Sequence, residues 1–278
     1  MCEFCVQHGE GKRWYLNARN YGEDLASDLR RRRFARDFFE GISDWGPQSL
    51  KKMEQLRTAP GPVRAMARWW VGRKMKKEHI GQVLPVEDVE QVLGIVNSVV
   101  RLPCVCRRVT RGEEARYCMG ISISPDLESG FTNDLDPSYW KGPDGVGMEQ
   151  LSKEEALGLM REFEQEGLVH SVWTFITPFI GGICNCDRSD CLAMISTVGH
   201  GLPIMYKGHA TAEVDWDQCK GCRTCMRQCQ FGAIGYSATA KKAFVDAEVC
   251  YGCGVCRAAC SHDAISLRER TPVGAAAH

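Results

Sequence analysis

The chain has no Gly-x-Gly-x2-Gly turn after a strand pattern, no phosphate-binding loop and no nucleophile–base motif. Those absences leave nucleotide-driven and simple hydrolytic chemistry without support. Long apolar runs are missing too: the best candidate, Val86 to Val100, is broken by Glu87, Asp88, Glu90, Gln91 and Asn97. It falls short of the roughly 18 apolar residues of a spanning helix. Met1 is followed by Cys2 and Glu3 rather than by a basic stretch and an apolar core, so no secretory signal is expected. Net charge is also absent, with 35 Lys and Arg against 35 Asp and Glu in 278 residues. That balance conceals a division: residues 1–110 carry +7 and residues 111–278 carry −7. Such an asymmetry suits steering of an acidic partner or orientation in an assembly. The densest basic run, Arg30-Arg31-Arg32-Arg33, has no nucleic-acid reader motif beside it and reads as a helix face in water.

Cysteine, by contrast, is abundant, with 16 residues. Eight form two quartets spaced Cys-x2-Cys-x2-Cys-x3-Cys: Cys219, Cys222, Cys225, Cys229 and Cys250, Cys253, Cys256, Cys260. Each cysteine of the first recurs 31 positions later, as do Gly221 as Gly252 and Ala233-Ile234 as Ala264-Ile265. The repeat implies two similar halves related by an approximate twofold. Zinc sites usually offer cysteines in pairs, whereas three thiolates at successive x2 spacing wrap the corner of a larger centre. Without a secretory signal, clustered thiols point to metal binding in a reducing cytoplasm rather than to disulfides.

The quartets resemble the bacterial ferredoxin family that carries two [4Fe-4S] clusters. The resemblance implies reciprocal ligation: Cys219, Cys222, Cys225 and Cys260 for one cluster, and Cys250, Cys253, Cys256 and Cys229 for the other. The usual proline after the fourth cysteine is Gln230 in one copy and Ser261 in the other, which restores a backbone N–H near sulfur. The Cys2/Cys5/His8-Gly-Glu-Gly start, Cys104-Val-Cys106-Arg107 and Cys184-Asn-Cys186 are similar to a group of ferredoxin-domain proteins from anaerobically living bacteria. There the later segment is richer in cysteine than here, where Asp187, Arg188 and Ser189 fill part of it.

Six further cysteines bunch in two segments: Cys104, Cys106, Cys118 and Cys184, Cys186, Cys191. Extended Cys104-Val105-Cys106 and Cys184-Asn185-Cys186 each place two sulfurs on one face. Together they suit an additional iron–sulfur cluster, with zinc as the alternative. At the N-terminus, Cys2, Cys5 and His8 share a spacing that reaches one metal, and His170 precedes the Cys184 segment as a further potential ligand.

The expected fold is α+β, with a mostly helical domain containing a small strand-bearing cysteine-rich region over 1–211. A pseudo-twofold dicluster module over 212–270 and a tail over 271–278 complete it. Helices are expected over 23–42, 47–56, 63–79 and after Pro85, with Trp69 and Trp70 packed inside. Ser124 to Gly147 reads as a surface loop and potential lid. Ser152-Lys153-Glu154-Glu155 is a capping box, and the helix it starts, followed by a hairpin, resembles a winged helix. The leading function is an electron-transfer protein or subunit serving a redox partner protein. A cluster-dependent reductase with an organic cofactor and a redox-sensing regulator are the alternatives.

Overall fold

The computed structural model describes residues 2–112, 115–125 and 147–270. Most of the expected lid, 126–146, and the tail, 271–278, lie outside the described residues. Helix α1 (Glu3–His8) starts at Cys2, whose sulfur accepts the Cys5 N–H. After a short α2 (Glu23–Ala26), α3 (Leu29–Thr58) is capped by the Asp28 carboxylate accepting from the Arg31 N–H. The two helices expected on either side of Pro47 are thus one continuous helix. Proline removes one intrahelical hydrogen bond, but the buried stripe of Ala35, Phe39, Ile42, Gly46 and Met53 runs on past it, and packing overrides the local breaker. Helix α4 (Gly61–Glu78) follows. Its Trp69 and Trp70 are 60% and 64% exposed, correcting the expectation that they pack inside. Within the Arg run, Arg31 is buried, and its guanidinium donates to the carbonyls of Phe175, Ile176 and Leu25.

Next come β1 (Gly81–Val83), α5 (Val86–Ile95), β2 (Ser98–Leu102), α6 (Val105–Arg111), β3 (Cys118–Ser122) and β4 (Glu149–Leu151). Then follow α7 (Lys153–Glu166), β5 (Val169–Thr174), β6 (Ile180–Cys186), the single turn α8 (Leu192–Met194) and β7 (Met205–Tyr206). Among the described residues these strands form a seven-stranded sheet ordered β4-β2-β3-β6-β5-β1-β7, antiparallel except for β1 against β7. The first 211 residues thus hold more helix than strand, as expected, and their strands join in one seven-stranded sheet rather than in a small strand-bearing region. The capping box at Ser152 and Glu155 is present, and Gly167 ends α7 at φ 96°, a backbone that glycine adopts without strain. Strands β5 and β6, read in sequence as a wing, are interior to the sheet, and β5 is buried at every position. No free hairpin projects there for a nucleic-acid groove. Apolar faces of α5 and α7, including Val89, Val92, Met160 and Phe163, pack into one core with Ile121 and Ile183 of the sheet. Each such fully buried side chain contributes about 1.5–3 kcal/mol.

The C-terminal module opens with β8 (Ala210–Val214), then α9 (Thr224–Gln228), β9 (Ile234–Ser237), β10 (Lys242–Val245), α10 (Val255–Ala258) and β11 (Ile265–Glu269). β8 pairs with β11 and β9 with β10, both antiparallel. The 31-residue repeat is visible in the backbone. Asp215 N–H donates to the Ala264 carbonyl and Asp246 N–H to Ala233, while each Asp carbonyl accepts the N–H of the cysteine four residues on. The left-handed positions Gly221, Arg223 and Gly232 recur as Gly252, Gly254 and Asp263.

Candidate metal centres

Two x2 steps after each Asp turn bring the C-terminal cysteines inward. Cys219, Cys225, Cys250 and Cys256 are buried in one cluster, with Cys229 and Cys260 packed against it and Cys222 at the surface. Left-handed Gly221 and Gly252 allow the chain to fold under each centre. A Cβ at Gly252 would lie 2.0 Å from the Ala210 carbonyl oxygen, and one at Gly221 would lie 2.3 Å from that of Lys241. An apolar cavity is walled by Cys250, Cys253 and Cys256 together with Cys229 from the other quartet, the crossed set that the sequence pattern implies. The electrostatic neighbours of Cys225 are Cys222, Cys260 and Cys219, the complementary set. Backbone N–H groups point at sulfur, Ala233 to Cys229 at 3.2 Å and Gly252 to Cys250 at 3.4 Å, the contacts that tune a cluster's potential. Burial pushes the thiols of Cys253 and Cys225 up.

Residues 218–265 match the family model of a 4Fe-4S dicluster domain. No curated protein matches the chain. The dicluster domain makes iron–sulfur electron transfer the chemistry of this end of the molecule. Its residues fit the clusters: the donor set is all thiolate, and the cavity between the crossed cysteines is lined by Phe231, Ile234, Val245 and Val255.

The six other cysteines converge at one end of the large sheet. Cys104 caps α6 just after β2, Cys118 opens β3, Cys184 and Cys186 share a face of β6, and Cys191 caps α8. Because Cys106 lies within α6, the extended Cys104–Cys106 geometry expected from sequence is replaced by a strand-to-helix turn. The sulfurs contact one another in two chains. Cys104 contacts Cys118 and Cys118 contacts Cys184, while Cys106 and Cys186 both contact Cys191, the last pair at 3.1 Å. Electrostatic coupling of Cys184 to Cys106 and Cys191 joins the chains into one group. The sulfur contacts with Cys106 and Cys186 hold Cys191 well below the usual thiol range, and the contact with Cys191, together with burial, pushes Cys106 and Cys186 well above it. The contact with Cys118, with burial, likewise raises Cys104. The contact with Cys104 favours the Cys118 thiolate, but the contact with Cys184 and burial leave Cys118 raised. A metal at this position would displace the thiol protons.

The surroundings hold the six sulfurs in place. Buried Arg107 lies 4.3 Å over the Tyr117 ring, donates to the Asn185 carbonyl at 3.2 Å, and pairs with Asp187. Asp187 also accepts from the Ser189 and Asp190 N–H groups at 2.9 and 2.7 Å, tying the loop between Cys186 and Cys191. Burial pushes the Asp187 carboxyl up, but the Ser189 bond and the Arg107 charge bring it below the ordinary range. Asp187 thus braces the loop between Cys186 and Cys191 from outside the group of sulfurs. The Tyr117 N–H meets Cys104 sulfur at 2.9 Å. His170 stands away from the sulfurs' contact chain. Its Nδ1 meets Asn185 Oδ1 at 2.6 Å, and Asn185 in turn donates to the Tyr117 carbonyl.

The two cysteine groups meet. Cys186, Cys191, Phe231 and Val255 are buried in one apolar cluster, with Cys106, Cys184, Cys229 and Cys253 packed against it. Gln230 fastens this contact: its side chain donates to the Gly167 carbonyl at 2.9 Å and accepts the Arg188 N–H at 3.1 Å.

At the N-terminus, Cys2 and Cys5 do not meet His8. They meet His209, from the residue before β8, and the three ligand atoms all lie within 4.8 Å of one another. The His8 carbonyl instead accepts from Asn17 and Asn20. Cys2 is pushed up to about 12, chiefly by donating to Cys5, which that bond lowers to about 6. Sequence spacing revealed the two thiols, but a histidine 204 positions away leaves no local signal.

Proposed function

We propose that the protein relays single electrons between the C-terminal dicluster domain and a third, iron–sulfur centre held by Cys104, Cys106, Cys118, Cys184, Cys186 and Cys191. The observation that carries this reading is the shared apolar cluster, in which Cys106, Cys184, Cys186 and Cys191 pack with Cys229 and Cys253. Within the dicluster, the supported ligands are Cys219, Cys222, Cys225 and Cys260 for one cluster and Cys250, Cys253, Cys256 and Cys229 for the other. Iron–sulfur clusters supply one-electron chemistry there. Six gathered sulfurs exceed the four that one tetrahedral zinc takes, which favours a polynuclear iron centre. Phe231 and Val255 keep water out of the junction, and Gln230 sets the approach of the two domains. The proposed domain division, between residues 211 and 212, falls within β8, and the ultimate donor or acceptor is a redox partner protein.

Metal and sulfide analysis after anaerobic purification tests the reading. The dicluster alone accounts for about eight iron atoms per chain. The wild type is expected to exceed that value, and Cys106→Ser with Cys184→Ser to return to it. A wild type at eight, with zinc lost from the double variant, would assign the six cysteines to zinc and end the relay.

A cluster-dependent reductase has one observation in its favour. A cavity of about 440 Å³ is lined by Tyr251, between the first two cysteines of the second quartet, with Arg68 and Lys207 also on its wall. Saturable, substrate-linked oxidation of the reduced protein by a small anionic compound would support that reading over a protein partner.

A further inference from the structure

The group at the N-terminus stands apart from both cysteine assemblies and has a different donor set. Cys2 and Cys5 lie one helical turn apart, with sulfurs 2.7 Å from each other, and His209 Nε2 is 3.0 Å from the Cys5 sulfur. A disulfide bond is about 2.05 Å, so the two sulfurs are in contact without being bonded. Among the described residues no fourth Cys, His, Asp or Glu belongs to the group.

Behind His209 a hydrogen-bonded chain fixes which ring nitrogen faces the sulfurs. Asp88, buried, is gripped by Arg13 through both carboxylate oxygens at 2.6 and 2.8 Å. A carboxylate so paired only accepts, so the single hydroxyl proton of buried Tyr15 goes to Asp88, at 2.6 Å. The Tyr15 oxygen is then left to accept from His209 Nδ1–H, at 3.1 Å. That tautomer turns the bare Nε2 lone pair toward Cys2 and Cys5. An imidazole held through its far nitrogen by a polar chain ending in a carboxylate is how metal-binding histidines are oriented.

We propose that Cys2, Cys5 and His209 bind one zinc ion whose fourth position is open to the neighbouring cavity. Two thiolates and an imidazole suit zinc better than a cluster, which needs more sulfur, or a hard cation, which needs oxygen. Three protein ligands with one exchangeable position is the arrangement of reactive rather than purely structural zinc. Cys2 forms part of the wall of the 440 Å³ cavity, together with Phe4, Gln82 and Tyr206, and Arg68 and Lys207 supply positive charge. The ligand class that fits is a small anion with a soft donor atom, its charge at Arg68 and Lys207 and its donor on the metal. The ion also ties α1 to the start of β8, joining the beginning of the chain to the dicluster domain.

Zinc K-edge absorption on the full chain, purified anaerobically without added thiols, is blind to iron and tests this directly. The expected result is about one zinc per chain, with two sulfurs near 2.3 Å and two nitrogen or oxygen atoms at about 2.0–2.1 Å. Mercaptoacetate, carrying both a thiol and a carboxylate, is expected to raise the count to three sulfurs. Cys2→Ser and His209→Ala are each expected to lose most of the zinc while keeping wild-type iron and sulfide. A wild type without zinc, a four-sulfur shell, zinc retained in both variants, or a Cys2–Cys5 disulfide found by mass spectrometry would overturn the site. A shell unmoved by mercaptoacetate would overturn its open position. Should either variant also lose iron, the wild-type shell alone decides.

Discussion

Single residues set the conditions under which the cysteine assemblies form, and Gly252 is the clearest case. Its φ of 73° and the 2.0 Å approach of a Cβ to the Ala210 oxygen leave no room for a side chain. Gly252→Ala adds left-handed strain of about 1–2 kcal/mol before any clash, and is expected to lower bound iron by about four atoms per chain, one cluster's worth. Gly94→Ala, where a Cβ meets nothing within 4 Å, serves as the control with unchanged iron. At Gln230, substitution by alanine removes two side-chain hydrogen bonds worth about 1 kcal/mol each. The expected outcome is a urea midpoint lowered by the equivalent of about 1–2 kcal/mol, read from cluster absorbance; an unchanged midpoint would show that these bonds do not secure the interface. His79 is buried against the rings of Phe34, Phe38, Trp173 and Phe175, and burial lowers its pKa to about 4. Since the unfolded imidazole titrates near 6.5, the unfolded chain binds the proton first. His79 therefore contributes stability above pH 6.5 that is lost as pH falls toward 4. His79→Phe is expected to flatten the urea midpoint between pH 7 and pH 5, and an unchanged slope would count against the buried neutral ring.

At the scale of elements, the sequence displayed what is local and concealed what is assembled. Cysteine spacing, the 31-residue repeat and the Ser152–Glu155 cap are all set by neighbours along the chain, so each was readable. The seven-stranded sheet was not, because β1 and β4 have three residues each, β7 has two, and β5 is buried on both faces and shows no alternation. His209 was hidden for the same reason, its partners lying at the other end of the chain. Pro47 gave a misleading break, since its effect on α3 is outweighed by a buried stripe that runs past it. Helix α4 misled in the opposite direction: Trp69 and Trp70 look like core residues, yet they touch chiefly each other and Arg73. Trp69→Ser with Trp70→Ser is accordingly expected to change stability by no more than about 0.5 kcal/mol per site. A loss of several kcal/mol in a denaturant titration would show that these rings are packed.

Across the whole molecule, six sulfurs gather at one end of the seven-stranded sheet, and one apolar cluster joins four of them, Cys106, Cys184, Cys186 and Cys191, to Cys229 and Cys253 of the C-terminal quartets. The most direct test of the relay is a potentiometric EPR titration of the anaerobic holoprotein beside the Cys106→Ser, Cys184→Ser variant. The predicted result is a third paramagnetic centre besides the two of the dicluster domain, present in the wild type and absent from the variant. Two centres only, with spectra and potentials identical in both proteins, would contradict it.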